Sequence, residues 1–293
     1  MSESEVLEEE EKEEDQEEKE TIEYTQGSFR FLKENSKILK SIVETLSSII
    51  DETEFIITDE GLEISAMDPS RICLLKLEIG DRDFDEFESD GNTKVAFNLD
   101  DLDKIMKRGT SSDQIELKYS ANDNKIQVVM KREETSRKRT FTLKLLDIDT
   151  EEIPMDNLLA IEYPSSWTMD PDFFEEAIKD AEIYSEILNM KAVEGEGLTF
   201  ESSGQIGEMV YFLGVEDLLE SDLHKEGQGA YSLTFLKSIL KIKSITEKLN
   251  ISLKTDHPLK MIFDIFEGGK LSYFLAPRVD ETQSEDEDME EFE

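Results

Sequence analysis

Ala96-Phe97-Asn98-Leu99-Asp100-Asp101-Leu102-Asp103-Lys104-Ile105-Met106-Lys107 reads as a strand end running into a short amphipathic helix. Ala230-Tyr231-Ser232-Leu233-Thr234-Phe235-Leu236-Lys237-Ser238-Ile239-Leu240-Lys241, 134 positions later, reads the same way. Gly61-Leu62 and Gly197-Leu198 each open an apolar strand 136 positions apart, and Ile115-Glu116-Leu117 has its echo at Ile251-Ser252-Leu253, again 136 positions on. Three echoes at nearly one offset imply two copies of a domain-sized unit. Such a duplication, with an acidic surface and evenly placed lysine-bearing helices, points to a scaffold around a polymer and not to a single catalytic pocket.

The chain of 293 residues is long enough for two domains, each able to bury its own core. The formal net charge of −40 is unevenly spread: residues 1–23 hold thirteen acids and two lysines, and residues 281–293 hold eight acids and no base. Both tails are poor in apolar residues and rich in like charge, which predicts disorder, with either a solubilising or a regulatory role. A lone cysteine, Cys73, has no internal disulfide partner, which fits a reducing intracellular compartment. Its apolar setting, Arg71-Ile72-Cys73-Leu74-Leu75, reads as a buried strand and not as a nucleophile's pocket. The first residues are acidic where a signal peptide would be basic and then apolar, and no apolar run approaches bilayer length. The expectation is a soluble intracellular protein with no membrane partner.

Phe29-Arg30-Phe31 reads as a short strand. Over residues 35–50, Ile38, Leu39, Ile42, Val43, Leu46, Ile49 and Ile50 recur at helical spacing, with Lys37, Lys40, Ser41 and Glu44 off that stripe. A second helix follows Asn98 or Asp100 as N-cap, with Leu102, Ile105 and Met106 inward and Lys104, Lys107 and Arg108 outward, and Gly109 as its stop. Strands are predicted at Phe55–Thr58, Leu62–Ala66, Ile72–Ile79, Lys94–Asn98, Gln114–Tyr119, Lys125–Lys131 and Thr140–Leu146, several of them alternating so that one face is wet. In the second half, Asp170-Pro171 is a cap followed by a first-turn proline. Phe173, Phe174, Ala177, Ile178 and Ala181 then form an apolar face with Lys179 off it, and Thr234–Ile242 is a fourth helix with Lys237 and Lys241 one turn apart. The acidic stretch Asp147–Tyr163, with Pro154 and no strong periodicity, is the connector.

The predicted organisation is therefore an acidic tail at 1–24, a first domain at 25–146, a connector at 147–163, a second domain at 164–280 and an acidic tail at 281–293. Each domain is α+β, two helices on a mostly antiparallel sheet. Lysines on the helix faces opposite the core would attract a phosphate backbone while the acidic remainder repels it. Nothing there supplies bidentate base-reading chemistry, so such binding would be independent of sequence.

Several segments resemble one family. Ser65-Ala66-Met67-Asp68-Pro69-Ser70-Arg71 resembles the signature after the second strand of archaeal and eukaryotic sliding clamps (proliferating cell nuclear antigen), in a form more archaeal than eukaryotic. Leu271-Ser272-Tyr273-Phe274-Leu275-Ala276-Pro277-Arg278 is similar to the family's closing strand and Leu-Ala-Pro turn. Phe84-Asp85-Glu86-Phe87, Asp103–Gly109 and Arg139-Thr140-Phe141 fall in the family's order, so the resemblance runs from about Phe29 to Val279.

The resemblance implies a ring-forming trimer of three two-domain subunits, homotrimeric or heterotrimeric, with sheets outside and helices around duplex DNA. It implies no enzymatic activity and no cofactor. A clamp loader would load the ring, which would tether DNA polymerase, flap endonuclease and DNA ligase through short motif peptides. By matching positions, Lys37, Lys40, Lys104, Lys107, Arg108, Lys179, Lys237 and Lys241 would face the DNA. Glu175 and Glu176 depart from the family pattern, where a base is common. The partner groove would take Met67, Arg71, Ile72, Ile153, Leu158, Pro258, Phe274, Ala276 and Pro277, an exposed apolar slot with a polar rim. Subunits would join through Arg139, Phe141, Leu143 and Leu145 on one side and Met209, Tyr211 and Leu213 on the other. The implied location is cytoplasmic and nucleoid-associated in an archaeon, nuclear in a eukaryote.

Other chemistries find little support. Asp81-Arg82-Asp83-Phe84-Asp85 begins like a calcium loop but has Glu86 where glycine is needed and Asn92 where the closing acid is needed. His224 and His257, the only histidines, lack a second metal ligand at helical or hairpin spacing. Gly195-Glu196-Gly197 and Gly227-Gln228-Gly229 lack the third glycine of a dinucleotide fingerprint, and neither a phosphate loop nor a serine elbow occurs. The rival readings are a checkpoint-type clamp loaded at damage and an acidic metal-dependent nuclease.

Overall fold

Three side chains start the long helices. In the computed structural model, which describes residues 27–121, 125–132, 135–148, 153, 155–265 and 268–278, the Asn35 side chain accepts from the Lys37 amide, Asn98 from Asp101 and Asp170 from Asp172. Asn98, not Asp100, is thus the second cap. The first half runs β1 (Phe29–Lys33), α1 (Ser36–Ser47), β2 (Glu52–Ile57), β3 (Gly61–Met67), β4 (Cys73–Gly80), β5 (Glu86–Ser89), β6 (Thr93–Asn98), α2 (Leu99–Met106), β7 (Gln114–Tyr119), β8 (Lys125–Lys131) and β9 (Lys138–Lys144). A short helix α3 (Met155–Leu159) follows. The second half runs β10 (Ser165–Met169), α4 (Pro171–Ala181), β11 (Ile187–Val193), β12 (Gly197–Gly204), β13 (Gly207–Gly214), β14 (Glu220–Leu223), β15 (Gly227–Ser232), α5 (Leu233–Ile239), β16 (Leu249–Leu253), β17 (Leu259–Ile265) and β18 (Gly269–Leu275). The acidic tails expected at 1–24 and 281–293 lie outside the described residues.

All described strand pairs are antiparallel. The sheets are β5-β1-β7-β8-β9, β13-β12-β11-β15, and a nine-stranded sheet in the order β14-β10-β16-β17-β18-β4-β3-β2-β6. The last joins the two halves where β4 pairs β18, with Cys73 opposite Leu275 and Leu77 opposite Leu271. The glycines of the sequence echo have a backbone reason. Gly61 (φ 144°) and Gly197 (φ 135°) each face a partner strand so closely that a Cβ would lie 2.1 Å from a carbonyl oxygen, of Ile79 and Leu213 respectively. One buried apolar cluster runs through both halves, from Phe31, Leu46 and Phe97 to Trp167, Phe200, Tyr231 and Phe263.

Four sequence expectations need revision. Strands β5 and β14 were absent from the predicted set, because each is four residues long, largely polar and an outer strand of its sheet. The predicted strand Thr140–Leu146 begins earlier and stops at Lys144, with Leu146 making only a bridge to Ala96. The fourth helix ends at Ile239 and continues as a 3₁₀ turn, Leu240–Ile245, because Ile239, Ile242 and Ile245 recur every third residue. The connector, read as lacking periodicity, holds α3, whose Met155 is buried.

A charge network ties β1 to both its neighbours. Arg30 bonds Glu116 on β7 at 2.7 Å and Glu86 and Glu88 on β5 at 2.5 and 3.2 Å, while Lys131 bonds the other oxygen of Glu116 at 2.7 Å. Burial pushes the Glu116 carboxyl up, but the hydrogen bonds from Lys131 and Arg30 outweigh it and hold the group below the usual glutamate range. The stabilisation is therefore complete above the unfolded glutamate pKa of about 4.3 and is lost as pH falls through the lower folded value. Glu116→Gln is expected to cost about 2 kcal/mol at pH 7 and to flatten the acid side of the stability curve, read by urea unfolding from pH 7 to 3.

Candidate functional site

The helices form one row across both halves. α2 packs on α1, α1 on the 3₁₀ turn after α5, and α5 on α4. Ser41 Oγ lies 2.7 Å from Ser244 Oγ at the junction of the halves. The stripe Leu39, Ile42, Val43 and Leu46 of α1 faces the core, as do Leu102 and Met106 of α2, Phe174 and Ile178 of α4, and Leu236 and Ile239 of α5. The opposite side exposes Lys37, Lys104, Lys107, Arg108, Lys179, Lys237 and Lys241, with Lys40 half-buried.

Most of these cations already have an acid beside them. Lys104 bonds Asp101 at 2.9 Å, Lys107 bonds Asp103 at 2.6 Å, Lys179 bonds Glu175 at 2.9 Å, and Lys237 bonds Glu182. Lys243, which the sequence reading did not select, bridges Asp172 and Glu175 at 2.6 Å each. Hydrogen bonds from Lys243 and Lys179 hold the Glu175 carboxyl below its usual range. Glu175 thus holds two lysines, and the second half presents a nearly neutral helix face. Exposed pairs of this kind are worth little and exchange readily, so a phosphate can replace a carboxylate on the same ammonium. Lys40 instead donates to the Gly109 carbonyl at 2.8 Å, tying α1 to the end of α2.

On the other side of the central sheet, residues from four distant segments meet. Leu74, Met155 and Phe274 are buried together, with Met67, Ile153 and Leu158 packed against them as a cluster separate from the main core. Met67, Ile153, Leu158 and Phe274 were expected at the groove; Leu74 and Met155 were not. Ile72 is 39 % exposed, and its carbonyl accepts from the Ala276 amide at 2.8 Å, which sets half-buried Ala276 and Pro277 beside it. Pro258 accepts at its carbonyl from the Tyr163 hydroxyl at 2.8 Å. Beside Met67 and Ile153 opens a cavity of about 600 Å³ that also reaches Arg71, Glu52, Glu54 and Lys94.

Asp68 shapes this region and was quoted in sequence without a role. Its buried carboxylate accepts from the amides of Ser70, Ile72 and Cys73 at 2.9, 2.7 and 2.6 Å, closing a loop in which Arg71 takes φ 57°. The Asp-x-x-Arg spacing in a loop between two strands was the available signal. Cys73 follows in β4, and burial pushes its thiol up to about 12, which leaves it inert as a nucleophile.

Strands β9 and β13 end their sheets with no strand beyond them among the described residues. On the core side of β9, Phe141 and Leu143 are only partly covered, as is Leu145 just past it, and the same holds for Met209 and Tyr211 on β13; Leu213 is buried. The β9 edge carries exposed Lys138, Arg139 and Lys144, whereas β13 carries exposed Glu208, has Glu176 beside it bonded by the Tyr211 hydroxyl at 3.3 Å, and is followed by Glu216 and Asp217. Arg139 is held at 2.6 Å by Asp113. The rejected calcium loop is a 3₁₀ turn, Asp81–Asp83, in which Asp83 accepts from the Gly80 amide at 3.0 Å. Among the described residues no group of three His, Cys, Asp or Glu side chains is placed to hold a metal ion, and no helix is long and apolar enough to cross a membrane.

Comparison with known proteins covers both halves of the fold. The family model for the proliferating cell nuclear antigen N-terminal domain matches residues 29–153, and that for the C-terminal domain matches residues 158–278. The DNA polymerase sliding clamp of Thermofilum pendens is 35% identical over 233 residues, 78% of this chain and 91% of that one. That of Pyrococcus abyssi is 32% identical over 255 residues, 86% of this chain and 99% of that one. The crystal structure of proliferating cell nuclear antigen from Thermococcus kodakaraensis superposes with a TM-score of 0.78 at 25% identity, covering 85% of this chain and all of that one. With both domain models matched in tandem over a fold of two sheet-and-helix halves, the chain belongs to the proliferating cell nuclear antigen family, the DNA polymerase sliding clamps.

Proposed function

We propose that three copies of this chain close into a ring around duplex DNA and hold DNA polymerase on it. The observation that carries the reading is the row of four helices with its cations all on one side, backed by sheets whose two ends are open and complementary. One end offers a basic strand and the other an acidic strand, each with half-covered apolar residues. A contact that joins unlike edges is heterologous and closes only as a ring. Both edges belong to one chain, as a head-to-tail ring requires of each of its subunits. An open sheet edge is an aggregation hazard, and pairing Arg139–Leu145 with residues 208–215 of a neighbour removes it.

The work done is tethering, as in a family of non-catalytic scaffolds. Phosphates, not base edges, are the partners available to the lysines, so the ring can slide along any sequence. A clamp loader opens the ring. Polymerase, flap endonuclease and DNA ligase dock through short motif peptides in the slot between Met67, Ile153 and Phe274. In an archaeal cell this takes place in the cytoplasm at the nucleoid. Nothing in the residues favours loading at damage or metal-dependent hydrolysis.

Native mass of the purified chain tests the assembly, with a trimer expected and a stable monomer opposing it. Replacing Lys40, Lys107 and Lys237 together with alanine tests the channel. The ring mass is expected to stay unchanged while processive synthesis falls and the salt dependence of DNA retention flattens by about three phosphate contacts. Full polymerase stimulation by the triple variant at physiological salt would place the DNA elsewhere.

A further inference from the structure

The largest concentration of charge in this chain lies outside the described residues. Residues 1–23 carry thirteen acids against two lysines, and they precede the family match, which starts at residue 29. Phe29 opens β1, and Ser36, seven positions later, opens α1. Glu23, the last acid of the segment, lies thirteen positions before Ser36 and so within about 45 Å of the start of the helix that carries Lys37 and Lys40.

The receiving surface holds cations of the helix row that lack acids, as Lys241 at the other end of the row also does among the described residues. Among the described residues neither Lys37 nor Arg108 has a carboxylate partner, whereas Lys104, Lys107, Lys179 and Lys237 each have one. The Lys40 ammonium bonds the Gly109 carbonyl, and Ser36 Oγ bonds the Thr110 carbonyl at 2.7 Å, so the start of α1 meets the chain just past α2. Exposed Lys37 and Arg108 thus form one basic corner with half-buried Lys40.

We propose that the acidic segment 3–23 pairs with this corner as a tethered polyanion and competes there with DNA phosphates. The inference rests on the channel reading above. Carboxylates and phosphates present the same chemistry to an ammonium or a guanidinium. Covalent attachment within one chain gives an effective concentration in the millimolar range, enough for a weak polyelectrolyte contact to persist at low salt. Duplex DNA then has to displace the segment, so only DNA held by the closed ring stays bound.

The test uses the full chain and a full-length variant with the thirteen acids of residues 1–23 changed to Gln or Asn. The variant is expected to keep the parent's mass and to bind a short linear duplex about tenfold tighter at 50 mM salt, a gain that shrinks by 200 mM. Zero-length carboxylate–amine crosslinking of the parent is expected to join residues 3–23 to Lys37 and Lys40 at low salt. Equal duplex affinity of parent and variant, or crosslinks only to other lysines, would overturn the proposal. Lys37→Ala, Lys40→Ala and Arg108→Ala placed together in the neutralised variant separate the two readings. Weakened duplex binding there supports the channel even if the acidic segment proves idle, whereas unchanged binding removes the channel and the proposal together.

Discussion

Leu143→Asp is expected to turn the ring into monomers. Leu143 lies on edge strand β9, paired with Ile126 on its inner side, and is half-buried against the core. In the proposed ring its outer side meets the neighbour's β13, where Tyr211 and Met209 complete the apolar strip. A carboxylate there is buried without a cation and faces Glu176 and Glu208 of the acidic edge. Leaving a buried charge unpaired costs about 3–5 kcal/mol, a loss in association of two to three orders of magnitude or more. The free subunit can still turn the new side chain to water, so its fold survives. Sizing chromatography with light scattering is expected to give the mass of one chain, with far-ultraviolet circular dichroism unchanged. A trimer that persists at micromolar concentration would refute the β9–β13 junction.

Ile153→Ala is expected to weaken motif-peptide binding by about 2 kcal/mol, some thirtyfold, with the ring intact. The side chain packs on the small Leu74–Met155–Phe274 cluster and lines the cavity beside Met67. Met155 of the connector is buried in that cluster, which is separate from the main core. Phe274, only 2 % exposed in β18, is a poor probe, since its truncation would cost core packing as well as binding. Ile153 is half-buried and sits before α3, so its truncation leaves the strands untouched. Calorimetric titration of a peptide with two aromatic anchors, at an unchanged melting temperature, reads the loss. Equal affinity in the folded variant would move the groove.

What was legible in the chain was local or repeated. Asn35, Asn98 and Asp170 each bond an amide two or three residues on, so the caps needed no tertiary knowledge. Gly61 and Gly197 stood out because duplication preserved the same tight crossing in both copies. The pairs Lys107–Asp103 and Lys179–Glu175 follow from four-residue spacing and could have tempered the expectation of a freely basic channel. Lys237–Glu182 could not, since the partners come together only when α5 settles beside α4. The groove was partly hidden for the same reason. Leu74 meets Phe274 only through the β4–β18 pairing, and Met155 reaches both from a connector with no periodic signal. Short polar strands such as β5 and β14 carry no hydrophobic alternation to read.

The β4–β18 pairing has a mechanical consequence. Six residues of each strand are matched from Cys73 to Glu78, inside a sheet that continues for several strands on either side. A hinge at that line would have to unzip hydrogen bonds in the middle of a buried layer and tear a core shared by both halves. The chain is therefore stiff along that line, and in the proposed ring deformation would concentrate at the joints between subunits. A gap wide enough to admit a duplex would form by parting one such joint, and the energy a loader must supply would be set there, by a few half-covered side chains and a row of opposite charges.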